Sequence, residues 1–289
     1  MKMPTILSCG EVLWDLFPDG ECFGGAPANF ACHAAILGAQ VSMFTAVGND
    51  LRGDKALAIL QGFKIDTSLI QRVSSAPTGS VGVSLDAAGK PTFEIHTGSA
   101  WDHIALSSAC EAKIAKADAV YFGTLGQRSE MSRQSRRQGL TQAEKRGILR
   151  VLDVNLRKPF YDASLIRESI EKASVLKLSD DELPEIAAAS NILEDSNPEN
   201  TLRSILKRFD LDLVVMTHGA KGAILVSATE TFDQPGIPTK VVDTVGAGDA
   251  FTAAFVLGLL RGEANQDILR KACETASAVC SIVGAVPTL

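Results

Sequence analysis

The stretch 241-VVDTVGAGDAFTAAFVLGLL-260 decides how the rest of the chain is interpreted, because it places a carboxylate at the start of an apolar helix. Gly246 and Gly248, on either side of Ala247, let backbone amides converge without interference from a Cβ atom. A helix start leaves N–H groups unpaired at the positive end of the helix dipole. Such a turn can hold a phosphoryl group, and Asp249 beside it can accept a proton from an attacking hydroxyl. An ordinary helix N-cap explains the same residues equally well.

A second glycine-containing segment lies near the N-terminal end of the chain. The run 24-GGAPANFACHAAILGAQVSMFTAVGNDLRG-53 combines a Gly-Gly pair and an Asn with a helix of small residues, a strand and a polar turn. By itself it is also consistent with a tight turn before a close-packed helix. Neither segment is a Walker loop, because GxxxxGK[ST] is absent from the chain. The segment 241–260 also lacks the third glycine of the GxGxxG fingerprint of dinucleotide-binding folds.

Short apolar runs that alternate with helical stretches predict an α/β fold with a mainly parallel central sheet covered by helices on both faces. The predicted strands are 5–9, 41–47, 119–123, 148–153, 174–178 and 213–217. Two segments interrupt this alternation. Residues 11–26 contain short extended pieces, and 78-TGSVGVSLDAAGKPTFEIHTGSAW-101 has the alternation of a hairpin with a turn at 88–91. Together these segments predict a small β-sheet lid inserted in a single domain that spans 1–289.

The composition limits the classes of function. The net charge of −6 argues against a general nucleic-acid binder, and the basic residues between Arg128 and Arg150 are interpreted as a solvated helix face. No apolar run approaches the ~20 residues that a membrane span needs, and the start MKMPTILSCG does not resemble a signal peptide. Six cysteines without a CxxC pair indicate a reduced, cytoplasmic protein. We therefore expect neither a nucleic-acid nor a membrane partner.

The two glycine segments, in this order and about 220 residues apart, resemble the signatures of the ribokinase-like (PfkB) family of carbohydrate and nucleoside kinases. The resemblance runs nearly from end to end. Within the family, 10-GEVLWDLFP-18, 24-GGAPANFA-31, 121-YFGTLGQR-128 and 153-DVNLR-157 are most similar to the fructokinase subgroup. The resemblance implies a ribokinase-like three-layer sandwich with a small β-sheet lid. It also implies an ATP-dependent kinase that phosphorylates a small sugar, with Asp249 as the base and the Gly246, Ala247 and Gly248 amides around the phosphoryl group.

The same resemblance implies a set of residues that hold the sugar. They are Asp15, Gly24, Gly25, Asn29, Trp101, Asp102, Asn155 and Arg157. Four of them also have a purely structural interpretation. Asp15 can be a turn residue, Asn29 a helix cap and Arg157 a surface side chain, while Trp101 is as well explained by burial in the core as by packing on the apolar face of a sugar.

The resemblance further implies a nucleotide site and two metal sites. The nucleotide residues are Thr217, Gly219, Gly222, Gly246, Gly248 and Cys273, the last in place of an Asn that family members often have. Glu182 is implied in indirect contact with Mg²⁺, although Ser179 replaces the usual Asn and the pair also fits a capping box. The tail resembles a monovalent-cation loop for K⁺, with Asp243, Val245, Gly284 and Thr288 at matching positions.

The sequence therefore predicts an ATP- and magnesium-dependent kinase, with fructose as the first substrate hypothesis. Alternatives within the family are kinases of 2-keto-3-deoxygluconate, of a pentose or of a nucleoside. A sugar- or nucleotide-binding sensor without catalytic activity is the alternative from another class. Exposed edges of the lid sheet also suggest a homodimer formed through the lid.

Overall fold

Short apolar strands and amphipathic helices alternate along the chain in the computed structural model, which describes residues 3–85 and 91–287. The strands are β1 (Thr5–Cys9), β2 (Leu13–Phe17), β3 (Gly20–Gly24), β4 (Gln40–Gly48), β5 (Ile70–Val73), β6 (Gly79–Leu85), β7 (Pro91–Ile95), β8 (Ala119–Gly123), β9 (Leu149–Asp153), β10 (Val175–Ser179), β11 (Leu213–Thr217), β12 (Gly222–Ser227) and β13 (Thr231–Pro235). The helices are α1 (Ala26–Ile36), α2 (Leu51–Gly62), α3 (Ser108–Ile114), α4 (Glu130–Glu144), α5 (Ala163–Glu171), α6 (Leu183–Ala189), α7 (Pro198–Phe209), α8 (Ala247–Leu260) and α9 (Asn265–Cys280).

The large sheet has the strand order β13-β12-β11-β10-β9-β8-β1-β4-β5 within the described ranges. Neighbours from β11 to β5 are parallel, whereas β12 and β13 are antiparallel additions at one edge. The six strands predicted from the sequence are β1, β4, β8, β9, β10 and β11, and they form the parallel centre. The expected mainly parallel sheet is therefore confirmed.

Two apolar cores lie on opposite faces of this sheet, because successive residues of a strand point to opposite sides. Leu7 of β1 belongs to one core with side chains of α4, α5, α6 and α7. Its neighbour Ile6 belongs to the other core with side chains of α1, α2, α8 and α9. The result is the three-layer arrangement that continuous apolar strands predict.

The second sheet is small and has the order β3-β2-β6-β7. Its strands β2 and β6 pair in parallel, which joins two segments that are far apart in the sequence. The remaining pairs, β2 with β3 and β6 with β7, are antiparallel hairpins. The expected small sheet is present, and the turn predicted at 88–91 falls outside the described residues except for its last position.

The topology brings polar segments to one edge of the large sheet. The carboxyl ends of β1, β8, β9 and β10 lie next to one another, and in open α/β sheets ligands bind beyond such ends. The small sheet follows β1 directly in the chain and lies over the same edge. Among the described helices, none combines the length and the apolar character required to cross a bilayer.

Gly258 gives a test of how closely α8 and α9 pack. A Cβ atom on Gly258 would stand 2.7 Å from Cγ1 of Ile268. We expect Gly258→Val to lower the free energy of unfolding by about 2 kcal/mol, because the added carbons overfill the contact. Urea denaturation measures this. Gly20→Val is the matched control, since a Cβ at Gly20 meets nothing within 4 Å, and equal stabilities of the two variants would contradict the packing.

Candidate active site

A cavity of about 580 Å³ lies between the edge of the large sheet and the small sheet. We call it the central cavity. Its floor is polar and comes from the ends of β1, β9 and β10 and from the first turns of α1 and α8. Its roof is largely apolar and consists of Leu13, Val81, Phe93 and Ile95 from the small sheet, with Asp15 beside them.

Asp249 is joined to Asn29 in the floor of the central cavity. The Asn29 Nδ2 atom donates to Asp249 Oδ2 at 2.9 Å, across 220 residues of sequence. Neither residue caps its helix, because the N-caps are Gly25 for α1 and Gly246 for α8. The helix-cap interpretation of both residues is therefore wrong. The bond occupies one carboxylate oxygen of Asp249 and leaves Oδ1 for another partner.

The pKa of Asp249 is raised from its ordinary value to about 7. Burial is the largest cause, since it disfavours the charged carboxylate, and the nearby carboxylate of Asp153 adds to it. The hydrogen bond from Asn29 and the positive charges of Lys177 and Arg157 oppose the rise. A carboxyl group with a pKa near neutrality is well suited to accept a proton at physiological pH.

The turn before α8 presents free backbone amides. Gly246 has φ +78°, and a Cβ there would come within 2.4 Å of the Ala285 carbonyl oxygen, so the turn requires glycine. The Ala247 amide donates to the Thr244 carbonyl at 3.3 Å. The Gly248 and Asp249 amides have no acceptor among the described residues, and they lie at the positive end of the helix dipole. This turn is therefore suited to bind an anion.

A buried ion pair lies in the same floor. The Lys177 Nζ atom is 3.1 Å from Asp153 Oδ1, and their side chains are 9% and 1% exposed. Thr252 of α8 places its hydroxyl oxygen 3.0 Å from Asp153 Oδ2. Burial lowers the pKa of Lys177, but the carboxylates of Asp153 and Glu182 outweigh it, and the pKa lies above the ordinary value. The ammonium group is therefore charged.

The structure gathers most of the residues that the sequence predicts for sugar binding. Those that line the central cavity are Asp15, Gly25, Asn29, Asn155 and Arg157. Burial raises the pKa of Asp15, and the charge of Arg157 partly offsets the rise. Gly24 does not line the cavity, but a Cβ there would stand 2.9 Å from Asp15 Oδ2, so it allows that carboxylate its position.

Trp101 and Asp102 do not reach the central cavity in this structure. Trp101 is 1% exposed and belongs to a core. The guanidinium carbon of Arg128 lies 3.7 Å from the centre of its ring, and two Arg128 nitrogens each donate to the Asp102 carboxylate at 2.8 Å. The structure therefore places both in the core and in an ion pair, because Arg128 occupies the ring face and the carboxylate that a sugar would need.

A second cavity, of about 460 Å³, lies on the other side of the turn before α8. We call it the side cavity. Its lining includes the predicted nucleotide residues Thr217, Gly219, Gly222, Gly248 and Cys273. Gly246 lines the central cavity instead. Burial raises the pKa of Cys273 to about 11, so this part of the wall is a neutral thiol.

The two cavities meet at Thr244 and Gly248, which line both of them. Gly248 immediately precedes Asp249 in α8. A group bound in the side cavity can therefore extend past the free amides of the turn toward the central cavity. The proposed base lies on the central side of this junction.

Glu182 lies outside both linings. Its Oε1 accepts from the Leu156 amide at 2.6 Å and its Oε2 from the Ser179 amide at 2.8 Å, and with Ser179 it forms a capping box. Both carboxylate oxygens thus hold backbone in place. No group of three or more potential metal ligands of the His, Cys, Asp or Glu type occurs in residues 3–85 and 91–287.

The predicted cation loop is partly gathered around Asp243. Its Oδ1 accepts from the Val245 amide at 3.0 Å and its Oδ2 from the Gly284 amide at 2.9 Å. His33 Nε2 donates to the Ala285 carbonyl at 2.8 Å and holds the same tail against α1. Thr288, the fourth predicted residue, lies outside the described residues.

Three charged residues of the central cavity were not predicted from the sequence as site residues. They are Glu11, Asp153 and Lys177. The sequence does contain an indication of Lys177 and Asp153, because Lys177 interrupts and Asp153 ends a largely apolar strand of the central sheet. Burial raises the pKa of Glu11, and the positive charge of Arg136 partly opposes the rise.

Comparison with known proteins agrees with this geometry. A family model described as "pfkB family carbohydrate kinase" matches residues 20–289. The chain is 29% identical to an ATP-dependent 6-phosphofructokinase of Thermoanaerobacterium thermosaccharolyticum, over all of this chain and 91% of that one. It is 28% identical to a probable fructokinase-5 of Arabidopsis thaliana, over 99% and 94%. The structure of Vibrio cholerae fructokinase with fructose, ADP and calcium matches at a TM-score of 0.82 and 25% identity, over 98% and 94%.

The raised pKa of Asp249 has a consequence for stability. Its pKa is about 7 in the folded protein and near its ordinary value of 3.8 in the unfolded chain, so the folded state binds more protons between these values. Stability attributable to this group falls as the pH rises through that window. We expect Asp249→Asn to raise Tm at pH 8 and to raise it less at pH 5, as measured by calorimetry. Asp19→Asn, in an exposed turn, is the control, and a pH-independent gain would contradict the assignment.

Proposed function

The chain belongs to the pfkB family of carbohydrate kinases, and we propose that it transfers the γ-phosphoryl group of ATP to a hydroxyl of an unphosphorylated sugar, with fructose as the leading substrate. One observation carries this proposal. The central and side cavities meet at Thr244 and Gly248, directly beside Asp249 and two free amides. Two substrate spaces that share a wall with a base and an anion-binding turn are what phosphoryl transfer requires.

The mechanism follows from the free oxygen of Asp249. Asn29 holds Oδ2, and Oδ1 accepts the proton of the sugar hydroxyl as the hydroxyl oxygen forms a bond to the γ-phosphorus. The bond from that phosphorus to the bridging oxygen breaks, and ADP leaves. The Gly248 and Asp249 amides stabilise the negative charge of the transferring group. Closure of the small sheet over the sugar, as a lid formed by residues 11–26 and 78–101, would exclude water.

The nucleotide would occupy the side cavity, whose glycines and Thr217 leave room for backbone contacts with phosphates. Bound Mg²⁺ would neutralise phosphate charge. The described residues fit a magnesium ion held mainly by phosphates and water, because they offer no cluster of protein ligands. Glu182 would act at a distance, by fixing the backbone at Leu156 and Ser179.

The charge of the central cavity favours an unphosphorylated sugar. Its lining carries four carboxylates and two cations, and one cation is paired with Asp153. A sugar phosphate would bring further negative charge to this surface, with Arg157 as the unpaired cation of the described lining. The apolar roof suits the C–H face of a ring, and Asp15 and Asn155 suit its hydroxyls. The similarity to the fructokinases of Arabidopsis thaliana and Vibrio cholerae also supports fructose as the acceptor.

Three further parts of the proposal concern the setting of the enzyme. A K⁺ ion would bind at the loop of Asp243, Val245, Gly284 and Thr288 and would stiffen the turn before α8. The exposed edges of the small sheet would pair in a homodimer, which light scattering tests through the mass in solution. The six free cysteines suit a reducing cytoplasm, and location of a tagged protein in cell fractions tests this.

Replacement of the base tests the mechanism. We expect Asp249→Ala to lower kcat by about 10²–10⁴-fold, because the sugar hydroxyl loses its proton acceptor. Steady-state kinetics by coupled ADP release measures this, and calorimetry shows whether the sugar still binds. Asp212→Ala, at an exposed position just before β11 and outside both cavities, is the matched control. Turnover of Asp249→Ala near the unaltered rate would remove Asp249 from the proposed role.

A panel of acceptors tests the substrate. We expect fructose to give the highest kcat/KM in the ADP-release assay, above fructose 6-phosphate, 2-keto-3-deoxygluconate, ribose and nucleosides. Highest activity with fructose 6-phosphate would overturn the argument from charge, and sugar binding without ADP release would indicate a sensor.

The same ADP-release assay with NaCl in place of KCl tests the cation loop. We expect a lower velocity in NaCl, and equal velocities in the two salts would remove K⁺ from the proposal.

A further inference from the structure

The ion pair of Asp153 and Lys177 is a pair of buried charges in the floor of the central cavity to which the mechanism above assigns no task. Burial of two charges costs free energy, and a buried pair is often no more stabilising than apolar residues of the same volume. Lys177 is also an unusual residue for a central strand, because β10 lies between β9 and β11 and its other strand residues are apolar or Ser179. Packing alone therefore gives no reason for a lysine here.

The position of the Lys177 ammonium group points to a task. A Cβ atom on Gly248 would stand 3.5 Å from Lys177 Nζ, so the ammonium group approaches the residue that lines both cavities. Lys177 itself lines the central cavity. It thus lies beside the junction at which the phosphoryl group would pass from one cavity to the other.

The neighbours of Lys177 fix it in that position. Asp153 Oδ1 lies 3.1 Å from Nζ, and Asp153 Oδ2 lies 3.0 Å from the Thr252 hydroxyl oxygen. The same hydroxyl lies 2.8 Å from the Gly248 carbonyl oxygen. A continuous set of contacts therefore runs from β10 through β9 to the first turn of α8, and the ammonium group and the anion-binding turn are held together.

We propose that Lys177 is a further catalytic residue, whose ammonium group contacts the transferring phosphoryl group at the junction of the two cavities, and that Asp153 is the positioning residue that holds it there. This inference rests on the proposed kinase activity. It adds a side-chain cation to a site in which the turn before α8 offers only backbone amides. A cation close to three charged equatorial oxygens stabilises them most when negative charge develops and water is excluded.

The same contacts connect Lys177 to the protonation of Asp249. The positive charge of Lys177 lowers the pKa of Asp249, while the carboxylate of Asp153 raises it. Loss of the lysine alone therefore shifts the acid limb of the kcat/KM profile to higher pH. The charged or titratable groups that face Asp249 are Tyr121 of β8, Asp153 of β9, Lys177 of β10 and Arg157 in the loop after β9. Glu182, which follows β10, faces the ion pair of Asp153 and Lys177.

Lys177→Met tests the inference. We expect a fall in kcat of about 10²-fold or more, which is the scale for loss of one charge-stabilising group. The affinity for the sugar alone should stay unchanged in calorimetry. The affinity for ADP with magnesium and aluminium fluoride, which mimics the transferring group, should fall much more than the affinity for ADP alone. A purely structural lysine would not separate these two affinities.

Controls keep the test decisive. Lys113→Met removes a lysine that is paired with Asp66 away from both cavities, and we expect unchanged kinetics. Lys177→Arg should recover part of the lost kcat, because it restores a cation. If Lys177→Met fails to fold with Asp153 left unpaired, the Asp153→Asn/Lys177→Met variant removes both charges and decides the question. A folded double variant with unaltered kcat and unaltered affinity for the aluminium fluoride complex would overturn the proposal.

The outcome also separates this inference from the proposed function. Absence of ADP release by the unaltered protein with every acceptor would refute the kinase activity itself. Full activity of the Lys177 variants together with an inactive Asp249→Ala would refute only the role of Lys177. A low kcat with equal loss of affinity for ADP and for the aluminium fluoride complex would show a structural lysine and would also overturn the proposal.

Discussion

The site depends on the partial burial of a carboxylate at a helix start, where Asn29 holds Asp249. The bond joins the first turns of α1 and α8, and each helix is preceded by an N-cap glycine with positive φ, Gly25 or Gly246. At each glycine a Cβ atom would meet a backbone oxygen at less than 3 Å. The two glycine turns thus allow two helices to start at one point of the sheet edge. Both turns therefore help to place that carboxylate in the floor of the central cavity, beside its junction with the side cavity.

Burial of this carboxylate also determines the character of its surroundings. The pKa of Asp249 rises because partial burial disfavours the charged carboxylate and because Asp153 is near, and the amide of Asn29 and two cations limit the rise. The protein therefore accepts a locally unfavourable group of charges at the place where its chemistry would occur. Such conflicts between stability and charge placement are expected at functional sites.

The sequence predicts the parts of the site that local chemistry specifies. The glycine turn at Asp249 follows from its own motif, and the parallel strands follow from continuous apolar runs. Asn29 and the nucleotide-side glycines are implied by the resemblance of short motifs to the pfkB family. Trp101 and Asp102 were harder to place, because Arg128, 26 residues further along, engages both of them and no local pattern indicates that contact. The sequence does not indicate a role for Lys177 for a similar reason, since its pairing with Asp153 depends on the adjacency of β9 and β10 in the sheet. The antiparallel edge of β12 and β13 likewise depends on pairing that apolar alternation does not specify.

The central cavity divides its tasks between two sheets, and this has a consequence for how its range of acceptors can change. The floor carries the charged groups and the anion-binding turn, whereas the roof contributes Leu13, Val81, Phe93 and Ile95. Roof residues stand on a four-stranded sheet that is separate from the large sheet. Substitutions there can reshape the space above the acceptor while the groups that handle the phosphoryl group keep their geometry. The architecture therefore favours divergence of acceptor choice around a constant reaction.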